Sequence, residues 1–302
     1  NQGCAGMLEK KIAIRCVVNP RAGVEGHWPE PEDAPASSAR RVVVVGGGPA
    51  GLQAAWVAAA RGHRVLLIER AARLGGQLGR LERMPARRPF LRLLEYQQRQ
   101  IARHRVILSL GIDATPDRIA DARPDLVILA TGSQPSPAIL PGGGPVAGLE
   151  AVTDAPERIG RRVAFVDLTG EWASLATIEH LADTGRAVTV FSPVAGFAWR
   201  TTIYSTLATA RRLRDQGVRI ETLRKVVGWD GNRLDVEDVS CGEIASRDGF
   251  DTVVVAQYNR ADDALREPLS QAGFTIRLAG DCLSPRTAME AVYEGHELAM
   301  IA

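Results

Sequence analysis

One stretch, RVVVVGGGPAGLQAAWVAAARGHRVLLIER at positions 41–70, constrains this chain more than any other. Val42, Val43, Val44 and Val45 form an apolar run without alternation, the pattern of a strand buried on both faces. Gly46, Gly48 and Gly51 follow as G-x-G-x-x-G and open an alanine-rich helix. A second apolar strand over 65–68 ends in Glu69, 23 residues after Gly46. Each part has a task in holding a dinucleotide. The first glycine permits a tight turn, the second lets the backbone approach a pyrophosphate, and the third lets helix pack closely on strand. The helix N-terminus adds unpaired N–H groups and positive dipole, and a carboxylate at Glu69 accepts from a ribose hydroxyl. A turn that merely needs glycines explains the fingerprint alone, but not strand, helix, second strand and terminal acid in order.

Residues 42–60 are mostly apolar over a spanning length, yet three glycines, Pro49 and Gln53 interrupt them, which argues against a membrane segment. No other span is visible. At 302 residues the chain suits about two domains, and 45% hydrophobic with 24% charged residues reads as a soluble globular protein. The basic side is almost wholly arginine, with lysine only at Lys10, Lys11 and Lys225. No arginine block is long enough for a nucleic-acid arm, and Arg211, Arg212 and Arg214 read as a solvated helix face. Four cysteines are too few for a disulfide scaffold, so a reducing, cytoplasmic setting is expected. The sequence starts at Asn1 beside a cysteine without a signal-like region, and a fragment of a longer protein is expected.

Cys4 and Cys16 have eleven residues between them. By themselves they read as two small buried hydrophobes, since two thiols cannot fill a four-thiolate iron–sulfur site. Residues 27–40, HWPEPEDAPASSAR, read as a linker. After the opening unit, Gly75-Gly76-Gln77-Leu78 is either a plain loop or a turn that brings backbone close to a ligand. An amphipathic helix is expected over 89–103 and a strand over 106–110. The buried strand 125–130 runs through Ala130 into Thr131-Gly132, small residues that leave room in the crevice beyond a sheet. Residues 135–148 form a crossing loop whose triple glycine follows no strand.

A second strand–loop–helix–strand unit starts at Arg162, with strands over 163–166 and 187–191 around a helix over 173–184. Its turn offers Asp167, Leu168, Thr169, Gly170 and Glu171 in place of the glycine fingerprint, and its second strand ends at Phe191-Ser192 without an acid. A carboxylate at that turn repels a pyrophosphate, so ordinary NAD(P)H binding is disfavoured there. A helix over 207–216, short strands to Val236 and an apolar strand over 252–256 follow. The strand 275–278 then leads to Ala279-Gly280-Asp281 and a helix over 287–301. Asp281 either contacts a bound nucleotide or caps that helix.

Together, Val42 to Gly51, Glu69, Ala130-Thr131-Gly132 and Gly280-Asp281 resemble, in order, the glutathione-reductase-like flavoproteins with two dinucleotide-binding domains. That resemblance implies an α/β protein of two Rossmann-like domains, the second inserted in the first. A remnant segment and linker take residues 1–39, a FAD- or ADP-binding domain takes 40–154 and 265–302, and the insert takes 155–264. It implies cofactor contacts at Gly46, Gly48, Pro49, Ala50, Gly51, Glu69, Arg70, Gly76, Gln77, Leu78, Ala130, Thr131, Gly132, Gly280 and Asp281.

The segment NQGCAGMLEKKIAIRCVVNPRAGVE is similar to the iron–sulfur region of the trimethylamine dehydrogenase and 2,4-dienoyl-CoA reductase group, relatives of old yellow enzyme. In that group an FMN-binding barrel precedes four cysteines for a 4Fe–4S cluster, and the last two cysteines are spaced as Cys4 and Cys16 are. The resemblance implies that Cys4 and Cys16 ligate the cluster in the intact protein, with the other two ligands outside this sequence. The altered second unit is more like that of amine dehydrogenases and demethylases, and trimethylamine dehydrogenase holds ADP where relatives hold FAD. No C-x-x-C or C-x-x-x-x-C pair is present, which removes disulfide-reductase chemistry, and Cys241 and Cys282 read as buried structural thiols.

The expected function is the electron-transfer part of an NADH:flavin oxidoreductase or amine-dehydrogenase-like enzyme, its small-molecule substrate meeting FMN in a barrel absent from this chain. The alternatives are a structural ADP-binding module and a self-standing NAD(P)H-dependent flavin reductase. No nucleic-acid or membrane partner is expected, and a homo-oligomer is compatible with this reading.

Overall fold

The structure, a computed structural model, describes residues 3–302. They fall into two compact units. The first holds residues 3–82, 88–134 and 259–302, and the second holds 83–87 and 135–258.

In the first unit, β1 (Arg41–Val45), β2 (Arg64–Glu69), β3 (Ile107–Leu110) and β4 (Leu126–Leu129) combine with the strand Ile276–Leu278. The sheet order is Ile276–Leu278, β4, β1, β2, β3, and every pairing is parallel. The valines of β1 are 0–4% exposed, as a strand covered on both faces must be. Helix α1 (Pro49–Ala60) follows β1 and is buried at Ala50 through Ala58, so it has no polar face to speak of. Helix α2 (Leu91–Arg103) is amphipathic instead, burying Leu93, Leu94, Gln97 and Ile101.

The helix Ala288–Met300 lies against α1 at backbone distance. A Cβ placed on Gly295 would stand 2.2 Å from the Ala50 carbonyl oxygen, so only glycine allows this crossing. That helix is started by a capping box: Thr287 Oγ1 accepts from the Met289 N–H at 3.3 Å, while the Thr287 N–H donates to Glu290 Oε2 at 3.1 Å.

In the second unit, β5 (Val146–Ala147), β6 (Arg162–Asp167), β7 (Ala187–Ser192), β8 (Arg219–Thr222) and β9 (Thr252–Ala256) form another all-parallel sheet in the order β5, β9, β6, β7, β8. Helix α3 (Trp172–Asp183) joins β6 to β7. An antiparallel meander of Arg224–Trp229, Arg233–Asp238 and Ile244–Asp248 completes the unit. Residues 146–154 lie with this unit because β5 pairs with β9 and Val152 packs in the core of Phe165 and Ile178. The chain is thus an α/β protein of two Rossmann-like units, the second inserted in the first.

Among the described residues, no helix is long and apolar enough to cross a membrane.

Candidate dinucleotide site

The parallel sheet of the first unit reverses direction between β1 and β4: β2 and β3 build outward on one side, β4 and Ile276–Leu278 on the other. In open α/β sheets the crevice beyond such a pair of strand ends is where ligands bind. Gly46 stands at the end of β1 with φ +109°, and a Cβ on it would lie 2.2 Å from the Ala130 carbonyl oxygen at the end of β4. Gly51 is equally constrained, since its Cβ would meet the Gly46 oxygen at 1.9 Å. Gly48, the N-cap of α1, is different: a Cβ there meets nothing within 4 Å. Two glycines close the loop on its own fold, and the third faces open space at the helix N-terminus. That is the arrangement an entering phosphate needs.

Glu69 ends β2 and folds back on the glycine loop. Its Oε2 accepts from the Gly47 N–H at 2.5 Å and its Oε1 from the Ala71 N–H at 2.7 Å. Each oxygen of an ionised carboxylate has about two acceptor sites, so Glu69 keeps capacity for a ligand hydroxyl while it holds the loop. A cleft of about 180 Å³ opens beside it, lined by Val45, Gly46, Ile68, Glu69, Arg70, Asp113, Ala114, Thr131, Asp262 and Leu265.

On the other flank, Gly75 N–H donates to the Gly47 carbonyl at 2.8 Å, and Gly76, at φ +53°, passes the glycine loop so closely that a Cβ on it would lie 3.1 Å from Gly48 Cα. Gln77 is thereby brought to Ser133 and Asp281. Its Nε2 donates to Ser133 Oγ at 2.9 Å and to Asp281 Oδ2 at 3.2 Å, while Ser133 Oγ donates to the same Asp281 oxygen at 2.8 Å. Asp281 Oδ1 also takes the Arg286 N–H at 3.1 Å. The cap of the following helix is Thr287, which leaves Asp281 to this polar cluster. Gly280, with φ +72°, donates its N–H to Glu294 Oε2 at 2.8 Å.

Of the residues marked by sequence, Gly46, Gly48, Gly51, Glu69, Arg70 and Thr131 surround the glycine loop and its cleft, and Gln77 and Asp281 converge beside Ser133. Pro49 opens α1, with its carbonyl accepting from Gln97 Nε2 at 2.9 Å. Ala50 is buried against Gly280, whose Cβ would stand 2.8 Å from its own. Leu78 packs on the core of the unit. Gly132 accepts, through its carbonyl, from the Asp262 N–H at 3.0 Å.

Asp262 was not foreseen. Its backbone carbonyl receives the Thr131 hydroxyl, and its carboxylate accepts from Gln134 Nε2 at 2.7 Å and faces Arg70 Nη2 at 3.7 Å. No local pattern marks it, because its role comes from the antiparallel pairing of Arg260–Ala261 with Ser133–Gln134. Asp113 and Ala114 could have been found: they follow β3, the neighbour of β2 in a parallel sheet.

The second unit closes the equivalent turn from within. Asp167, 1% exposed at the end of β6, accepts on Oδ1 from the Thr169 N–H at 3.1 Å, the Gly170 N–H at 2.9 Å and Ser174 Oγ at 2.8 Å. The donors that would cradle a phosphate already hold an internal carboxylate. The Trp199 ring lies against Gly170, only 2.4 Å from where a Cβ would be.

The cysteines meet the expectation of buried thiols only in part. Cys282 is 1% exposed, and its Sγ donates to the Leu129 carbonyl at 3.0 Å; burial pushes the thiol up. Cys241 is instead exposed in the turn after Arg233–Asp238, because nothing apolar covers a hairpin turn. Cys4 is exposed and Cys16 half-buried. The Arg15 N–H donates to the Gly3 carbonyl at 2.8 Å, which sets the two cysteines beside one bridge between their neighbours. The Ala5 N–H is the main influence holding the Cys4 thiol below its ordinary value. Among the described residues no group of three or more His, Cys, Asp or Glu could hold a metal.

The comparisons with known proteins agree with this geometry. The family model described as "FAD dependent oxidoreductase" matches residues 41–102. The chain is 30% identical over 313 residues to an NADH oxidase of Thermoanaerobacter brockii, covering 99% of this chain and 46% of that protein. It is 30% identical over 337 residues to an N,N-dimethylglycine/sarcosine dehydrogenase of Chromohalobacter salexigens, covering 96% of this chain and 48% of the relative. Among solved structures, a 2-naphthoyl-CoA reductase in complex with 2-naphthoyl-CoA superposes with a TM-score of 0.89 at 28% identity, over 99% of this chain and 45% of that one. The chain therefore belongs to the FAD-dependent oxidoreductases. Within them it falls in the group of the amine dehydrogenases and dienoyl-CoA-reductase-like enzymes. It spans somewhat less than half the length of the Thermoanaerobacter and Chromohalobacter enzymes.

Proposed function

We propose that this chain is the FAD-binding, electron-transferring part of a longer flavoenzyme that acts as an NADH:flavin oxidoreductase or an amine-type dehydrogenase. The observation that carries the reading is the glycine loop of the first unit, closed on itself at Gly46 and Gly51 and open at Gly48, with Glu69 beside the cleft. The residues fit the group. Gly48 and the first turn of α1 receive the pyrophosphate, Glu69 takes a ribose hydroxyl, and the Gln77–Ser133–Asp281 cluster supplies donors and an acceptor to the remainder of the cofactor. Bound flavin supplies the one- and two-electron chemistry; the protein supplies position and electrostatics.

NAD(P)H is not the ligand of the second unit, since Asp167 and Trp199 occupy its turn. In the whole protein, substrate oxidation or reduction takes place at an FMN in a barrel outside this sequence, where the small-molecule substrate binds. Cys4 and Cys16 are two of the four ligands of a 4Fe–4S cluster whose other ligands also lie outside it. The two thiols here do not fit a cluster by themselves. A cytoplasmic location and self-association accompany this reading.

The test is reconstitution. Purified chain mixed with FAD should retain yellow flavin through desalting and release FAD, not ADP, on denaturation. Anaerobic NADH or NADPH should leave that flavin oxidised in the isolated chain. Failure to retain FAD where ADP is retained would turn the site into a structural nucleotide site, and rapid bleaching would return hydride chemistry to the second unit.

A further inference from the structure

The end of β2 carries two side chains suited to opposite ligands. In dinucleotide-binding folds an acid there takes a free ribose 2′-hydroxyl, whereas an arginine nearby takes a 2′-phosphate through its guanidinium fork. This chain has both, Glu69 and Arg70, side by side. Adjacent in sequence, they do not by themselves decide which ribose is accepted.

Both residues line the cleft beside the glycine loop, and so does Asp262. Three hydrogen bonds fix Asp262. Its N–H donates to the Gly132 carbonyl at 3.0 Å, its own carbonyl receives the Thr131 hydroxyl, and its Oδ2 accepts from Gln134 Nε2 at 2.7 Å. The same Oδ2 lies 3.7 Å from Arg70 Nη2, on a side chain that is 60% exposed. The sheet places β1 between β2, which Arg70 follows, and β4, whose end leads into Thr131. The ion pair therefore spans the crevice at the C-terminal end of β1, the end of the sheet at which ligands of such folds bind. Of the two partners, Asp262 is the fixed one and Arg70 the one with freedom to move.

The charge of the cleft points the same way. Glu69, Asp113 and Asp262 line it against a single arginine, and that arginine already faces a carboxylate. A phosphate on the ribose adds a charge of about −1.5 to −2. Brought to this cleft it meets three acids, and like charges a few ångströms apart repel more strongly beside a protein surface than in bulk water. To pair with Arg70 it would have to take the guanidinium from Asp262. A free 2′-hydroxyl brings no charge and donates to Glu69 without disturbing the pair.

We infer that Asp262 is a specificity-determining residue of the dinucleotide cleft: by holding Arg70 it withholds the guanidinium from a ribose phosphate, so that the cleft accepts adenine nucleotides with a free 2′-hydroxyl and refuses those with a 2′-phosphate. The inference rests on the dinucleotide reading of this cleft. It adds to that reading a residue about 190 positions from Arg70 in the chain, placed by the pairing of Arg260–Ala261 with Ser133–Gln134.

The probes are ADP and its 2′-phosphorylated counterpart, titrated by calorimetry into the purified chain at low salt, where exposed charges are least screened. Wild type should bind the 2′-phosphorylated compound at least about tenfold more weakly than ADP. Asp262→Asn removes the charge while keeping an acceptor for Gln134 and the backbone contacts to Gly132 and Thr131, and should move the ratio of the two Kd values about tenfold toward the 2′-phosphate. Adding Arg70→Ala to Asp262→Asn should take that gain away, which shows that it passes through the released guanidinium. Should Asp262→Asn fail to fold, the smaller Asp262→Ser carries the same comparison. Equal affinity of wild type for the two compounds, a ratio that Asp262→Asn leaves within about threefold, or a gain that survives Arg70→Ala would each overturn the inference while leaving the dinucleotide reading intact. Binding of neither compound by wild type would overturn both.

Discussion

Replacing Glu69 with alanine tests the site most directly, because the carboxylate holds the glycine loop in the structure and, in the function proposed above, takes a ribose hydroxyl when the nucleotide binds. Unliganded, it accepts from the Gly47 and Ala71 N–H groups at 2.5 and 2.7 Å. Removing it leaves two backbone donors unpaired beside a cleft that water reaches, so each can be resolvated and the stability lost should be only about 1–2 kcal/mol in total. In the proposed complex with FAD, a ribose hydroxyl joins the same carboxylate. A hydrogen bond to a charged group contributes about 1.5–3 kcal/mol, which is roughly ten- to hundredfold in Kd at 1.4 kcal/mol per decade. Quenching of FAD fluorescence on titration measures the affinity, and thermal unfolding without FAD measures the stability term separately. Glu69→Gln keeps one acceptor and loses the charge, so it should fall between wild type and alanine. Affinity in Glu69→Ala within about threefold of wild type, in a protein shown to be folded, would refute the ribose assignment.

Two further outcomes follow from buried groups. Unfolded histidine takes its proton near 6.5 and His296 in the folded chain near 4, so between those values the unfolded state binds more protons. The contribution of His296 is complete above about pH 6.5 and declines as pH falls through the window, by roughly 3 kcal/mol in all at about 1.4 kcal/mol per unit; urea unfolding at stepped pH measures it, and His296→Phe should remove about one proton of uptake. With a thiol reagent, Cys241 should label in the native protein and Cys282 only on denaturation, as judged by peptide mapping; native labelling of Cys282 would contradict its burial.

The dinucleotide unit was legible because its tasks are local: four valines, three glycines and an acid each carry a constraint within one run, residues 42–69. The parallel strands and the inserted second unit were legible for a similar reason, since βαβ repeats write their own punctuation. What escaped was fixed by distant parts of the chain. Asp262 reaches the Thr131 turn through a two-residue antiparallel pairing that no periodicity announces. Residues 146–154 pass to the second unit through a strand of two residues, Val146–Ala147, too short to show a pattern. The buried chain from Trp56 through Gln53 to His296 joins residues 243 positions apart at its last link. The exposure of Cys241 depends on a turn whose lack of cover is a tertiary fact.

The contact between α1 and the helix Ala288–Met300 also sets an order of events. The second unit is built almost wholly from one continuous run, residues 135–258, and its pairings can form as soon as that run exists. The first unit has to wait. β4 lacks its outer neighbour, and α1 lacks the helix that Gly295 admits to its backbone, until residues 276–300 have been made. Closing contacts across so long an intervening segment is slow compared with forming local ones. During synthesis the inserted unit is ready first, and the cofactor cradle, though its glycine loop is encoded before that unit, becomes whole only after Asp281 and the helix beyond it are in place. A truncation within residues 276–300 should therefore cost the chain its nucleotide while leaving the inserted unit folded.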